Sequence, residues 1–416
     1  MNMMHAPVAA PPLMSERRVA VIGALLVALG PISMALYTPA MPEIVRAFGT
    51  TEAAVNLTLS LYFAGFAFAQ LVCGPLSDGF GRRPVTVVFM GIYLIAGVIA
   101  LLSPDIHVLI AARFLQGVGA AAGISVARAI VRDLFTTEAS AKIMNLIGMI
   151  LAVGPAFSPV IGGITMELFG WHAVFALMVG FGVVVVLVAA LALRETVTRD
   201  LSRIRPMAIL RSYGSLLASR YFMYPSLMLG GTVGALYTLA TMLPFVLIDR
   251  AGLTATQFGL SMLMQSGAYF LGSVVVRFVM PKLGSRALVP IGLGFVVFGG
   301  AGLLVLLNVF EPNFFTVMVP VACYAFGIAF VMPALTTAAL APFPHMAGAA
   351  SSLSGFMQMG GGLLGSMVAA AIGDPVFAMS TVVPAMALIA VICWMGFRKL
   401  PDPAPTQQPP DDLPVG

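Results

Sequence analysis

Ionisable groups are scarce in this chain, with 9% of residues charged against 60% hydrophobic, so each one inside an apolar run stands out. Arg113 is the deepest. It lies about six residues into the run 107–131, or roughly 9 Å from its end at 1.5 Å per residue. A guanidinium at that depth of a bilayer costs several kcal/mol unless it faces a wet cavity or acceptors, which makes it a functional candidate by default. The competing reading is a long side chain that snorkels back to the headgroups. Gln116, one helical turn further on the same face, favours the functional one.

Other polar and aromatic residues inside apolar runs are pocket candidates: Tyr37, Asn56, Gln70, Tyr237, Gln265, Tyr269, Tyr324 and Gln358. Each taken singly is also explained as a helix-to-helix hydrogen bond, worth about 0.6 kcal/mol on average in membranes. As a set on several helices they suggest an amphipathic cavity, and the 27 methionines suit an adaptable apolar wall. A second charged constellation, Asp78, Arg82 and Arg83 with Gly74 and Gly81, sits between two apolar runs. Its acid and its glycine spacing exceed what a simple basic turn needs.

Several chemistries are excluded. No paired embedded carboxylates, HExxH, GxSxG or phosphate-binding glycine loop occurs, so the chain reads as no enzyme and calls for no cofactor. Cys73, Cys323 and Cys393 are far apart in apolar stretches without metal-ligand spacing, so no metal is expected. The net charge of +5 is scattered between apolar runs and implies no nucleic-acid partner.

The elements that position these residues are membrane spans of about 20 apolar residues. Twelve are predicted: 19–40, 54–76, 85–102, 107–131, 141–166 and 172–193, then 221–248, 256–280, 287–308, 314–341, 346–372 and 376–397. The fold class is therefore all-α integral membrane, two pseudo-symmetric six-helix bundles. The bundles are 19–193 and 221–397, joined by an arginine-rich linker at 194–220. A tail at 1–18 precedes them, and a Pro-rich tail at 398–416 is expected to be disordered. The N-terminus lacks a small-residue cleavage site, so the first span is expected to stay in the membrane. With both termini in the cytoplasm, all of the 21 basic residues except Arg46, Arg113 and Arg250 fall on the cytoplasmic side. The halves echo each other at an offset of 203 residues: Gly49 with Gly252, Thr51 with Thr254, Leu57 with Leu260, Gly81 with Gly284, Arg83 with Arg286.

The stretch Gly74-Pro75-Leu76-Ser77-Asp78-Gly79-Phe80-Gly81-Arg82-Arg83-Pro84 resembles the signature loop of the major facilitator superfamily. Arg113-Phe114-Leu115-Gln116-Gly117-Val118-Gly119-Ala120-Ala121 resembles that family's motif associated with proton coupling. Gly154-Pro155-Ala156-Phe157-Ser158-Pro159-Val160-Ile161-Gly162-Gly163 is similar to its antiporter motif, with Ser158 replacing the usual glycine. The stretch Phe343-Pro344-His345-Met346-Ala347-Gly348-Ala349-Ala350-Ser351-Ser352, with Tyr37, Pro39 and Pro42, resembles the Bcr/CflA group of drug exporters.

The resemblance implies a cytoplasmic latch of Asp78, Arg82 or Arg83, and Asp133. Asp78 near the start of span eleven would contribute about 0.3 to 1 kcal/mol through the helix dipole. The second-half echo at 281–286 lacks the acid, so the latch is one-sided. The implied function is export of small hydrophobic or amphipathic compounds, antibiotics among them, by alternating access with proton antiport. The expected setting is a monomer in the bacterial inner membrane. One departure bears on coupling: the group has an aspartate where Ala35 stands, and no Asp or Glu lies inside any predicted span. The residues therefore also admit a carrier of an amino acid or other small metabolite, with or without proton coupling. Span-end groups such as Glu43, Asp105, His107 and Asp249 remain as alternative proton carriers.

Overall fold

The computed structural model describes residues 13–135 and 137–401. Fourteen α-helices run through them. The first seven are α1 (Glu16–Tyr37), α2 (Met41–Phe48), α3 (Glu52–Phe80), α4 (Arg82–Leu101), α5 (Ile106–Leu134), α6 (Thr137–Phe169) and α7 (Trp171–Leu187). The others are α8 (Pro206–Ala218), α9 (Arg220–Pro244), α10 (Ala255–Leu283), α11 (Ser285–Val309), α12 (Phe314–Leu340), α13 (Ala347–Ile372) and α14 (Pro375–Phe397). No strand occurs among the described residues. Among them eleven helical segments are long and apolar enough to cross a membrane, α1 and α2 counting as one, and α6 adds the apolar stretch Ala156–Phe169. The all-α membrane architecture expected from the apolar runs is the one that forms.

Helices are the form such runs must take, because a bilayer offers no water to satisfy exposed backbone groups. Large apolar side chains face outward along them, Phe298 at 73% exposed and Phe315 at 71% among them, as lipid contact permits. Side-chain caps mark the helix starts: Thr51 accepts from the Ala54 N–H, Asp105 from His107 and Val108, Asp374 from Phe377. Asn313 and Thr316 form a reciprocal capping box.

The turns repeat with the sequence echo. Gly49 and Gly252 have φ of 57° and 73°, and Gly81 and Gly284 have 105° and 78°, a region only glycine enters freely. The signature stretch itself departs from expectation. It is not an open loop, since α3 stays helical through Pro75 to Phe80 and Gly81 alone makes the turn into α4. The chain start differs too: α1 begins at Glu16, capped by Ser15, so Glu16 to Arg18 are helical and not tail. Within the linker stretch, Leu201–Arg203 forms a 3₁₀ turn and Pro206–Ala218 a helix. Of the expected tails at 1–18 and 398–416, residues 1–12 and 402–416 lie outside the described residues.

The chain divides into two compact units. One comprises Met1–Arg205 with Gly252–Leu263, the start of α10; the other comprises Pro206–Ala251 with Met264–Gly416. In the first unit, α5 is the hub. A Cβ on Gly117 would strike the carbonyl oxygen of Tyr62 in α3, one on Gly119 would meet α4 at Phe89 and Tyr93, and one on Gly123 would strike the Leu26 carbonyl in α1. Small residues thus bring three helices into backbone contact with one, which replaces the hydrophobic drive that lipid removes. In the second unit α9 plays this part, with Gly234 against Gly361 and Gly362 of α13 and Gly231 against the Met386 carbonyl of α14.

Candidate functional site

Arg113 projects from α5 one turn before the glycine hub, and that placement sets its surroundings. It is fully buried, 0% exposed, so the snorkelling reading does not describe it. Its guanidinium carbon lies 4.4 Å from the Tyr37 ring centroid of α1 and 4.5 Å from that of Tyr62 of α3. Nη1 donates to Gln116 Oε1 at 2.7 Å and approaches Met178 Sδ of α7 at 4.0 Å. Nε and Nη2 have no acceptor, nor does the Gln116 amide nitrogen have a partner. Among the described residues no carboxylate pairs with this cation. Every contact named is within the first unit.

The rings are themselves held. The Tyr37 hydroxyl pairs with Thr58 Oγ1 at 2.6 Å, the Tyr62 hydroxyl donates to the Gly30 carbonyl at 3.0 Å, and Tyr93 of α4 shares a short hydrogen bond with Ser33 of α1. The close approach of α3 to α5 at Gly65 and Gly117 brings Tyr62 onto the cation. Cation–π contacts in a desolvated setting are worth about 2 kcal/mol each, so two rings offset much of the burial cost where no acid is present.

The second constellation forms a knot at the end of the first unit. The Arg82 side chain is 3% exposed; its Nη1 meets Asp78 Oδ1 at 2.5 Å and Ser77 Oγ at 2.7 Å, while its Nε reaches Asp133 Oδ2 at 3.0 Å. Arg83 points elsewhere and donates to the Ala190 carbonyl at 2.7 Å. Arg18 likewise donates to the Ala192 carbonyl at 2.7 Å. Carbonyls freed where a helix ends take up such donors, and Val188–Ala192 is a π-turn that ends this one. Glu195 caps α4 from afar: Oε1 accepts from the Arg82 N–H at 2.8 Å and Oε2 from the Arg83 N–H at 3.1 Å. Gly81 leaves room for it, since a Cβ there would lie 2.5 Å from Glu195 Oε2. The Gly74 carbonyl accepts from Ser77 Oγ at 2.8 Å.

The stretch 154–163 lies on α6. Ser158 is buried and donates to the Gly154 carbonyl at 2.6 Å. A Cβ on Gly162 would strike the Leu36 carbonyl of α1, and one on Gly163 the Ala255 carbonyl of α10. Gly259 of α10 is equally close to the Pro159 carbonyl. Just beyond, Glu167 accepts from the Thr256 N–H at 3.1 Å and its hydroxyl at 2.6 Å, capping the start of α10. The side chains of Pro155 and His345 lie outside the described residues.

Other candidates divide by place. Asn56 and Gln70 are buried in α3 of the first unit; Asn56 Oδ1 meets Ser60 Oγ at 3.4 Å, whereas Gln70 Oε1 has no partner. In the second unit, Tyr324 is fully buried and its hydroxyl lies 3.4 and 3.3 Å from the Gly231 and Thr232 carbonyls of α9, a tie between helices. Tyr269 reaches Met332 Sδ at 3.8 Å. Tyr237, Gln265 and Gln358 are half-buried. Sequence reasoning missed Tyr62, Tyr93, Ser33 and Glu195. The tyrosines offered the same signal as Tyr37, an embedded hydroxyl; Glu195 offered none, being more than a hundred residues from the N–H groups it caps.

The described residues thus form helices long and apolar enough to cross a membrane, with an embedded, aromatic-lined cation in the first unit. The model of the Major Facilitator Superfamily matches residues 22–366, and the chain belongs to that family. It is similar to YdgK, an uncharacterised transporter of this type from Bacillus subtilis (strain 168), with 31% identity over 377 residues, 89% of this chain and 92% of the relative. It is likewise similar to Multidrug resistance protein D of Escherichia coli (strain K12), with 30% identity over 379 residues, 89% and 93% of the two chains. Among solved structures, the D-xylose-proton symporter superposes with a TM-score of 0.73 at 15% identity over 91% of this chain and 97% of that one, a likeness of fold.

Proposed function

We propose that this transporter exports small hydrophobic or amphipathic compounds, drugs among them, by alternating access and in exchange for protons. The observation that carries the reading is the Arg113 shell: a fully buried guanidinium on two tyrosine rings, with donors that lack acceptors. Such a group is costly to retain as structure alone and suits binding of a partly polar, partly aromatic molecule. The similarity to a multidrug resistance protein supports the drug class. In this reading Gln116, Asn56 and Gln70 serve the pocket of the first unit, and Tyr237, Gln265, Tyr269 and Gln358 are the polar positions of the second. The knot around Arg82 and Asp133 serves as the conformational latch, the packing of Gly154 to Gly163 prevents leak, and the chain works as a monomer. The basic-residue bias supports both termini in the cytoplasm and bundles divided near the arginine-rich linker, and the bacterial relatives support a bacterial inner membrane.

The test uses everted vesicles carrying the pure protein. Addition of a substrate should release protons from an acidified lumen, and Arg113→Ala should abolish this with expression intact. No pH-gradient response across a broad panel of drugs would refute the proton-exchange reading. One observation favours a second reading, a metabolite carrier uncoupled from protons: the acids of this chain stand at span ends, none within a span. Altered amino-acid release without any gain in drug resistance would favour it.

A further inference from the structure

The donors left over at Arg113 define a chemistry more specific than general amphipathic binding. Guanidinium presents its N–H groups in a plane, and Nε and Nη2 lie side by side on one edge with parallel N–H bonds. These two are the nitrogens without an acceptor; Nη1 is already held by Gln116 at 2.7 Å. The Tyr37 and Tyr62 rings attract the charge but supply no in-plane lone pair to these donors. Gln116 adds a third unpartnered donor, its amide nitrogen, on the residue that touches the guanidinium. The cation is fully buried, and the sequence places no acid within a span to answer it. The unused edge matches the spacing of two carboxylate oxygens, the acceptor with which Arg pairs in two parallel bonds.

We infer that Arg113 and Gln116 form a recognition site for a carboxylate carried by the transported molecule, with the tyrosines receiving its apolar body. The substrate class is thus amphipathic carboxylates, the acid that the protein lacks being brought by the ligand. The inference rests on the reading that Arg113 lies on the substrate path. It differs from that reading in assigning the charge of the substrate.

The test compares three molecules with one aromatic body: 1-naphthoate, its methyl ester and 1-naphthylmethylammonium. Binding to the intact protein in lipid nanodiscs at neutral pH is followed by calorimetry. A bidentate charge-assisted pair predicts that the acid binds about tenfold or more tighter than the ester or the ammonium. Gln116→Glu, nearly isosteric, sets a carboxylate against the guanidinium and should erase that preference. Arg113→Lys keeps the charge without the paired edge and should weaken the acid by about tenfold. Melting curves check that both variants are folded, and the wild-type series needs no variant.

Equal or tighter binding of the ammonium, or an unchanged preference in folded Gln116→Glu, would overturn the inference. Gradient-driven export of the ammonium but not the acid would overturn it while leaving the exporter standing. Acid binding through Arg113 together with movement of the acid that no proton gradient drives would support it and refute the proton-exchange reading.

Discussion

The contact between Arg113 and Tyr37 allows a quantitative test of how a cation is kept inside the first unit without an acid. Tyr37 does two things: its ring lies under the guanidinium at 4.4 Å, and its hydroxyl pairs with Thr58 at 2.6 Å. Tyr37→Phe removes only the second. A membrane hydrogen bond averages about 0.6 kcal/mol, so stability should fall by about that amount and transport should persist. Tyr37→Leu removes the ring as well, which adds a cation–π loss of about 2 kcal/mol together with lost packing against Phe175, whose ring centroid is 5.7 Å away. The packing loss is separated by repeating Tyr37→Leu in an Arg113→Met background, where no cation remains. Unfolding of all four proteins in mixed micelles, titrated with a denaturing detergent, gives a double-mutant cycle. The coupling energy between positions 37 and 113 should be about 2 kcal/mol. A coupling below about 0.5 kcal/mol, the margin within which independent sites add, would show that the ring does not stabilise the charge and would refute the account of the shell.

Three more expectations follow from the geometry. Gly117→Ala forces its methyl onto the Tyr62 carbonyl and should destabilise by about 1 to 3 kcal/mol and slow transport, whereas Gly180→Ala, inside α7 with nothing within 4 Å, should leave transport unchanged and stabilise by up to about 1 kcal/mol. Arg82→Lys cannot reproduce the bonds to Asp78, Ser77 and Asp133 together, so it should cost about 1 to 3 kcal/mol in the same unfolding titration, while Arg83→Lys should cost less than half as much. Glu195→Ala strips the cap from the Arg82 and Arg83 N–H groups and should lower stability by about 1 kcal/mol, with faster amide exchange confined to the first turn of α4.

What the sequence by itself determined is whatever follows from composition along the chain: the membrane setting, the spans, the repeated glycine turns and the isolation of Arg113 among apolar residues. Hydrophobic thickness and backbone satisfaction act on local stretches, so they are readable from local stretches. The partners of Arg113 were not readable in this way. Tyr37 and Gln116 were singled out, but Tyr62 and Met178 meet the guanidinium only because Gly65 and Gly117 let α3 and α5 touch and because α7 packs nearby. Rotation of a helix about its axis decides which face a span presents, and an all-round apolar span leaves that rotation unmarked. Tertiary structure likewise chose Arg82 over Arg83 for Asp133 and sent Glu195 back to cap α4. Those choices depend on distances between residues far apart in the chain, fixed only when glycine-lined helices settle against each other.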